Sequence, residues 1–238
     1  MPLARGAAVF LDIDGTLIDL AATPDAVVIP AHLPHLLRRL AARHGGALAL
    51  ISGRSLADID AMFGAGGMAI AAEHGAILRN AEGQVIMSVT ADDALSSLCG
   101  PLRAAVAAHH GTLLEEKRFG LVVHWRGAPQ YGASLTTFAM QLAAPHPSLF
   151  LQPAHEAVEI RVRGPDKASA MEHFLRSPPF MGRPPVFVGD DLTDEPAIAR
   201  ATALGGRGLH VIRDFPGGPA AVVAWLEAAL AGKEVADA

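Results

Sequence analysis

Cysteine is all but missing from this chain of 238 residues: Cys99 stands alone. No intrachain disulfide can form, and no thiolate cluster for zinc or iron–sulfur exists. Lysine is nearly as scarce, with only Lys117, Lys167 and Lys233 among 19 basic residues and arginine supplying the rest. No uncharged apolar run approaches the roughly 18–20 residues that a membrane span needs. The apolar residues after Arg5 meet Asp12 and Asp14 almost at once and offer no small-residue cleavage site, so they read as a buried strand and not as a signal peptide. Basic runs are absent too, and a net charge of −5 with a pI of about 6.1 lacks the footprint of a nucleic-acid binder. The expectation is a cytoplasmic protein with neither a membrane nor a nucleic-acid partner. An anionic ligand would have to be held by a few local groups or by a metal.

What is present is a core. Hydrophobic residues make up 51% of the chain and the mean hydropathy is +0.31. Ala8–Ile13, Ala47–Ile51 and Met68–Ala72 are short apolar runs that predict strands. Between them Leu33, Leu36, Leu37 and Leu40 fall at helical spacing, and a further helix runs to about Met62. Strands alternating with helices mark a parallel sheet covered on both faces. The texture then changes. A helix over about 92–110, strands over Thr112–Lys117 and Leu121–Arg126, a helix over 130–143, and strands at Leu149–Gln152 and Ala157–Val162 read as an α+β module. The first pattern resumes with a helix over Lys167–Arg176, a strand at Pro185–Val188 and a helix at Glu195–Arg200. A final strand is expected at Leu209–Ile212 and an amphipathic helix at Ala220–Ala231. The expected organisation is therefore a core over 1–90 and 164–238, interrupted by an inserted domain over 91–163.

Ligands of open parallel sheets bind beyond the carboxyl ends of the strands. Polar clusters fall at those ends: Asp12-Ile13-Asp14-Gly15-Thr16, Ser52-Gly53-Arg54, Glu73-His74-Gly75 and Gly189-Asp190-Asp191-Leu192-Thr193-Asp194-Glu195. Any one aspartate could be a helix cap or a turn former. Capping needs one side chain per helix, however, and does not explain acids at the ends of two strands beside a Ser-Gly at a third. Clustered acids repel unless a cation neutralises them, and Mg²⁺ suits a few carboxylates plus phosphate oxygens. The combination points to metal-dependent phosphoryl chemistry.

These strings resemble the ordered motifs of the haloacid dehalogenase superfamily of phosphatases: Asp12-x-Asp14-Gly15-Thr16-Leu17, Ser52-Gly53, Lys167, and Gly189-Asp190-Asp191-x-x-Asp194. The insert lies where that superfamily's larger, C2-type caps lie. Glu73-His74-Gly75, Glu115-x-Lys117 followed by His124-Trp125-Arg126, and Glu159-Ile160-Arg161 resemble the trehalose-6-phosphate phosphatases within it. Trp125 stands where that family usually has Tyr, and Ala168 where Gly is common. The resemblance implies a Rossmann-like α/β core with an α+β cap, and a Mg²⁺-dependent hydrolysis of trehalose 6-phosphate through an aspartyl-phosphate. In that scheme Asp12 is the nucleophile and Asp14 the general acid and base. Gly15, Ser52 and Lys167 bind the phosphoryl group. Mg²⁺ is held by Asp12, Asp14 through its backbone carbonyl, Asp190 and Asp194, with Asp191 a further candidate.

The insert would supply specificity. Glu115 and Lys117 share a face of an extended segment, and Glu159 can point off its strand while Val158 and Ile160 face inward. Charged groups converging on one pocket suit a ligand rich in hydroxyls; the competing reading is an ordinary solvated Glu–Lys pair. His74 could reach the substrate or brace the turn after the third strand. His109 and His110 read as surface, His32 and His35 lack a third ligand, Trp225 reads as core, and Lys233 reads as a chance lysine in a tail. Another sugar phosphatase (for sucrose phosphate or mannosyl-phosphoglycerate), a sugar phosphomutase and a non-catalytic phosphate sensor remain open beside the main reading.

Overall fold

The computed structural model describes residues 2–21, 27–89 and 93–232. Lys233 and the expected domain junction at 90–91 lie outside the described residues. In chain order the elements are β1 (Ala8–Leu11), α1 (Leu33–Arg43), β2 (Leu48–Ile51), α2 (Leu56–Phe63), β3 (Ala69–Ala72), β4 (Ile77–Arg79) and β5 (Val85–Ser88). There follow α3 (Asp93–Ala107), β6 (Leu113–Glu116), β7 (Gly120–His124), α4 (Gly132–Ala143), β8 (Leu149–Ala154) and β9 (Ala157–Val162). The chain closes with α5 (Lys167–Leu175), β10 (Pro185–Gly189), α6 (Glu195–Ala203), β11 (Arg207–His210), α7 (Val211–Asp214) and α8 (Pro219–Ala231). Two compact units result: residues up to Ser88 together with those from Asp166 onward, and Val89–Pro165.

The first unit is a seven-stranded sheet in the order β11-β10-β1-β2-β3-β4-β5. The strands from β11 to β3 pair in parallel, whereas β4 and β5 add antiparallel to one edge. Only a short helical turn, Glu73–Gly75, separates β3 from β4. A parallel neighbour needs a crossover of a dozen or more residues, so the chain folds straight back instead. Strands β1 and β2 are buried at every position, as expected of a sheet covered on both faces. An aromatic cluster packs against one face, where Phe10 meets Phe180 at 5.4 Å and Phe174 meets Phe180 at 5.2 Å between ring centres. Helices α5 and α6 bring Met171, Phe174, Ala197, Ile198 and Ala201 to that same cluster. The last strand departs from the expected Leu209–Ile212. It ends at His210, where Asp214 accepts a hydrogen bond from the His210 backbone amide at 2.7 Å and the next residues turn helical. Ile212 is left exposed. Trp225 is half-buried, edge-on to Phe215 at 5.4 Å, while Val222, Val223 and Leu226 carry the buried face of α8.

The second unit is a four-stranded antiparallel sheet, β6-β7-β9-β8, with α3 and α4 packed on one face. Strand alternation sends Leu121, Val123, Val158 and Ile160 to those helices. The register pairs Glu115 with Val122, Val122 with Glu159, and Glu159 with Gln152, so these four form one row across the opposite face. His109 is half-buried rather than exposed. Its ring meets Tyr131 at 4.3 Å, and its Nδ1 lies 2.7 Å from the Ala105 carbonyl.

Candidate active site

Strand β1 lies between β10 and β2, so Asp12 leaves the sheet between Asp190 and Ser52. The Asp12 carboxylate is 4% exposed and accepts from the Lys167 ammonium at 2.8 Å. Lys167 opens α5 and is itself buried. It also donates to Asp194 at 2.7 Å. Asp194 has no exposed surface, and its second oxygen accepts from the Asp190 and Asp191 amides at 3.1 and 3.3 Å. The Thr16 hydroxyl lies 3.3 Å from Asp12 Oδ2 and 3.4 Å from Asp190 Oδ1, and so bridges the two acids. Carboxylate oxygens of Asp12, Asp190 and Asp194 all fall within 4.8 Å of one another.

Burial and mutual repulsion govern this group. Burial raises the Asp12 carboxyl well above the ordinary carboxylate range; Lys167 pulls it down, and Asp194 and Asp190 push it up again. Burial, Asp191 and Asp194 push Asp190 up to about 6. Burial likewise raises Asp194, against the opposing pull of Lys167. Burial alone would lower the Lys167 ammonium, but Asp12, Asp194 and Asp191 outweigh it and hold the lysine charged. One ammonium faces more acid than it can neutralise. The remaining demand is for a cation, and an all-oxygen donor set of this size fits a hard divalent ion such as Mg²⁺.

Asp14 is turned elsewhere. Both its oxygens accept from Arg54, at 2.7 Å each, in a two-pronged ion pair. Its carboxylate is thus committed to Arg54. Gly15 carries a φ of +75°, and a Cβ there would lie 2.0 Å from Asp190 Oδ2. The turn after Asp14 thus accepts only glycine, on both conformation and space. Ser52 is buried at the end of β2, with its hydroxyl 3.2 Å from the Arg54 amide. His74 is buried in the turn after β3, its ring set against Gly53.

On the sheet face opposite α3 and α4 in the second unit, Lys117 Nζ lies 3.2 Å from Glu159 and 3.8 Å from Glu115. His124 Nε2 lies 2.9 Å from the other Glu115 oxygen. Burial opposes ionisation of Glu115, but the His124 hydrogen bond and the Lys117 charge hold its carboxyl below the usual range. The three residues singled out in the sequence do come together, with His124 joining them. Nothing in the sequence pattern assigns a role to Arg54, Thr16 or His124. Arg54 directly follows Ser52-Gly53, and His124 shares the Val122 face, but the partners they find depend on chain pairings that spacing does not disclose.

The architecture is a fold shared with solved haloacid dehalogenase-like hydrolases. A solved trehalose-6-phosphate phosphatase related protein superposes with a TM-score of 0.78 over 94% of this chain and 96% of its own, at 22% identity. A haloacid dehalogenase-like hydrolase from Bacteroides thetaiotaomicron superposes with a TM-score of 0.65 over 93% of this chain and 98% of its own, at 14% identity. The family model for trehalose-phosphatase matches residues 10–211. The trehalose-6-phosphate phosphatase of Escherichia coli (strain K12) is 38% identical over 202 residues, spanning 85% of this chain and 76% of the relative. The chain belongs to the trehalose-phosphatase family, and so to the phosphoric monoester hydrolases. No described helix is long and apolar enough to cross a membrane.

Proposed function

We propose that this protein is a Mg²⁺-dependent phosphatase that hydrolyses trehalose 6-phosphate through a phosphoryl group carried on Asp12. One observation carries the chemistry: a buried carboxylate at the end of the middle one of the parallel strands, 2.8 Å from a buried lysine and grouped with two further acids. Asp12 attacks phosphorus while the bond to the sugar oxygen breaks, and the Asp14 carboxyl, released from Arg54 and protonated when substrate binds, gives its proton to that oxygen. Asp14, now a carboxylate, takes a proton from water as the water attacks the aspartyl-phosphate. The P–O bond to Asp12 then breaks, and phosphate leaves.

Lys167, the Ser52 hydroxyl and the backbone around Gly15 hold the phosphoryl oxygens, where fixed donors act on developing charge. Mg²⁺, held by Asp12, Asp190 and the Asp14 carbonyl, would supply positive charge to those same oxygens. Both Asp194 oxygens are already engaged, by Lys167 and by the Asp190 and Asp191 amides, so Asp194 supports the ion by fixing the Asp190 loop or through water. The unit over Val89–Pro165 acts as the specificity cap, with Glu115, Lys117 and Glu159 meeting sugar hydroxyls. The family match and the named phosphatase relative support the choice of sugar.

Phosphate release from a panel of sugar phosphates, with and without Mg²⁺, tests the proposal. Trehalose 6-phosphate should be turned over best, and only with the metal. No turnover of any member would overturn the phosphatase reading, and equal turnover of sucrose phosphate would overturn the choice of sugar.

A further inference from the structure

The turn after β3 is strained and buried, and it lies on the same sheet edge as the acids. Glu73, His74 and Gly75 take φ values of 46°, 57° and 100°, three left-handed residues in succession, two of them not glycine. Such conformations persist only where the surroundings impose them. Here the turn is fixed at both ends. On one side the Glu73 amide donates to the Arg54 carbonyl at 2.9 Å and the His74 amide to the Ser52 carbonyl at 2.8 Å. On the other side, a Cβ at Gly75 would lie 2.9 Å from both the Asp166 carbonyl oxygen and the Ala170 Cβ, so the turn sits directly against the first turn of α5. That helix begins at Lys167.

The His74 ring fills the remaining gap. A Cβ at Gly53 would lie 2.5 Å from His74 Nε2 and 2.7 Å from Cε1. Gly53 does not sit in the left-handed region, so space and not backbone conformation demands glycine there. The Ser52-Gly53-Arg54 loop and the His74 ring are therefore fitted to each other.

We infer that Glu73–Gly75 is a strut that sets the height of Ser52 against Lys167, and that His74 is a positioning residue wedged under the phosphate-binding loop and not a contact to the sugar. The inference rests on the phosphatase reading above for the role of Ser52 and Lys167. A wedge of this kind acts on every phosphate ester alike, because it shapes the part of the site common to them all. Small displacements of such groups cost up to about 100-fold in rate.

The test uses the full-length protein as Gly53→Ala, His74→Ala and the double variant, assayed on trehalose 6-phosphate and on p-nitrophenyl phosphate. Inorganic phosphate affinity is measured by calorimetry, and thermal unfolding checks the fold. Gly53→Ala should lower kcat roughly 10- to 100-fold on both esters. His74→Ala should lower kcat on both by a similar proportion and weaken phosphate binding. The double variant should lose no more than His74→Ala alone, because with the ring removed the new methyl at position 53 meets no clash. Should Gly53→Ala fail to fold, His74→Ala alone decides. A rise in KM confined to trehalose 6-phosphate, with p-nitrophenyl phosphate turnover and phosphate affinity unchanged, would overturn the inference, as would losses that simply multiply in the double variant. A wild type that cleaves neither ester would sink the phosphatase reading instead, and phosphate affinity would still report on the wedge.

Discussion

Replacing Lys167 with methionine keeps most of the side-chain volume and deletes the ammonium that faces Asp12 at 2.8 Å and Asp194 at 2.7 Å. All three groups are buried. Breaking a buried pair from one side costs about 3–5 kcal/mol, because the partner charge is left uncompensated. That is a large share of the roughly 5–15 kcal/mol that holds a domain folded. The loss must depend on pH. Without the ammonium, the folded-state pKa values of Asp12 and Asp194 rise further above the unfolded value of about 3.9. A carboxylate raised in the folded state disfavours folding once it must ionise, so the penalty is small at about pH 4 and larger at about pH 7.5. Mg²⁺ should replace part of what the ammonium supplied. At 100 times its Kd a ligand of the folded state contributes about 2.7 kcal/mol. Urea unfolding followed by circular dichroism at both pH values, with and without Mg²⁺, measures all of this. A loss under about 1 kcal/mol at neutral pH, or one equal at both pH values, would refute the electrostatic account of the site.

Three further predictions rest on single contacts. Asp12→Asn should abolish turnover while leaving the metal-free protein at least as stable as wild type near neutral pH, since it removes a buried carboxylate that burial already disfavours; a lower melting temperature or retained turnover would count against it. Glu115→Ala should cut kcat/KM for trehalose 6-phosphate by about 10- to 100-fold, the worth of a charge-assisted hydrogen bond, and leave p-nitrophenyl phosphate nearly unchanged. An equal loss on both esters would show that Glu115 serves the fold and not the sugar. His44 is buried with Nδ1 3.0 Å from the Ala7 carbonyl, and burial, with Arg183 and Arg43, lowers its pKa. Stability should therefore fall as pH drops below the unfolded value of about 6.5, where the unfolded chain gains a proton that the folded one resists. His44→Gln should flatten that part of a melting-temperature profile, and an unchanged slope would count against the assignment.

The strands that carry the acids were legible because each is a short, fully apolar run ending in a polar cluster. Buried parallel strands leave no other pattern, and ligands gather at their carboxyl ends. The β4–β5 hairpin was not legible. It is short, β5 is largely exposed, and β4 includes Arg79, a buried arginine paired with Asp60, where apolar character would be the signal. At the acids, the strand-end pattern brought Asp12 and Asp190 into one hypothesis, and the resemblance to the phosphatase motifs added Lys167. Neither could show that Asp194 would be wholly buried and tied to Lys167, or that Arg54 would grip Asp14. In the second unit, alternation alone put Glu115 and Lys117 on one face. Only the register of β6, β7 and β9 shows that Glu159 and His124 meet them there.

The central claim is that phosphorus is attacked twice, first by Asp12 as the sugar oxygen leaves and then by water as Asp12 leaves. The stereochemical course at phosphorus tests it most directly, with a trehalose 6-phosphorothioate whose two peripheral oxygens are different isotopes, hydrolysed in water carrying the third isotope so that the thiophosphate released is chiral. Each in-line displacement inverts phosphorus, so passage through an aspartyl-phosphate predicts overall retention. Overall inversion would mean that water attacks the ester in a single step, and Asp12 would then have no place as the nucleophile.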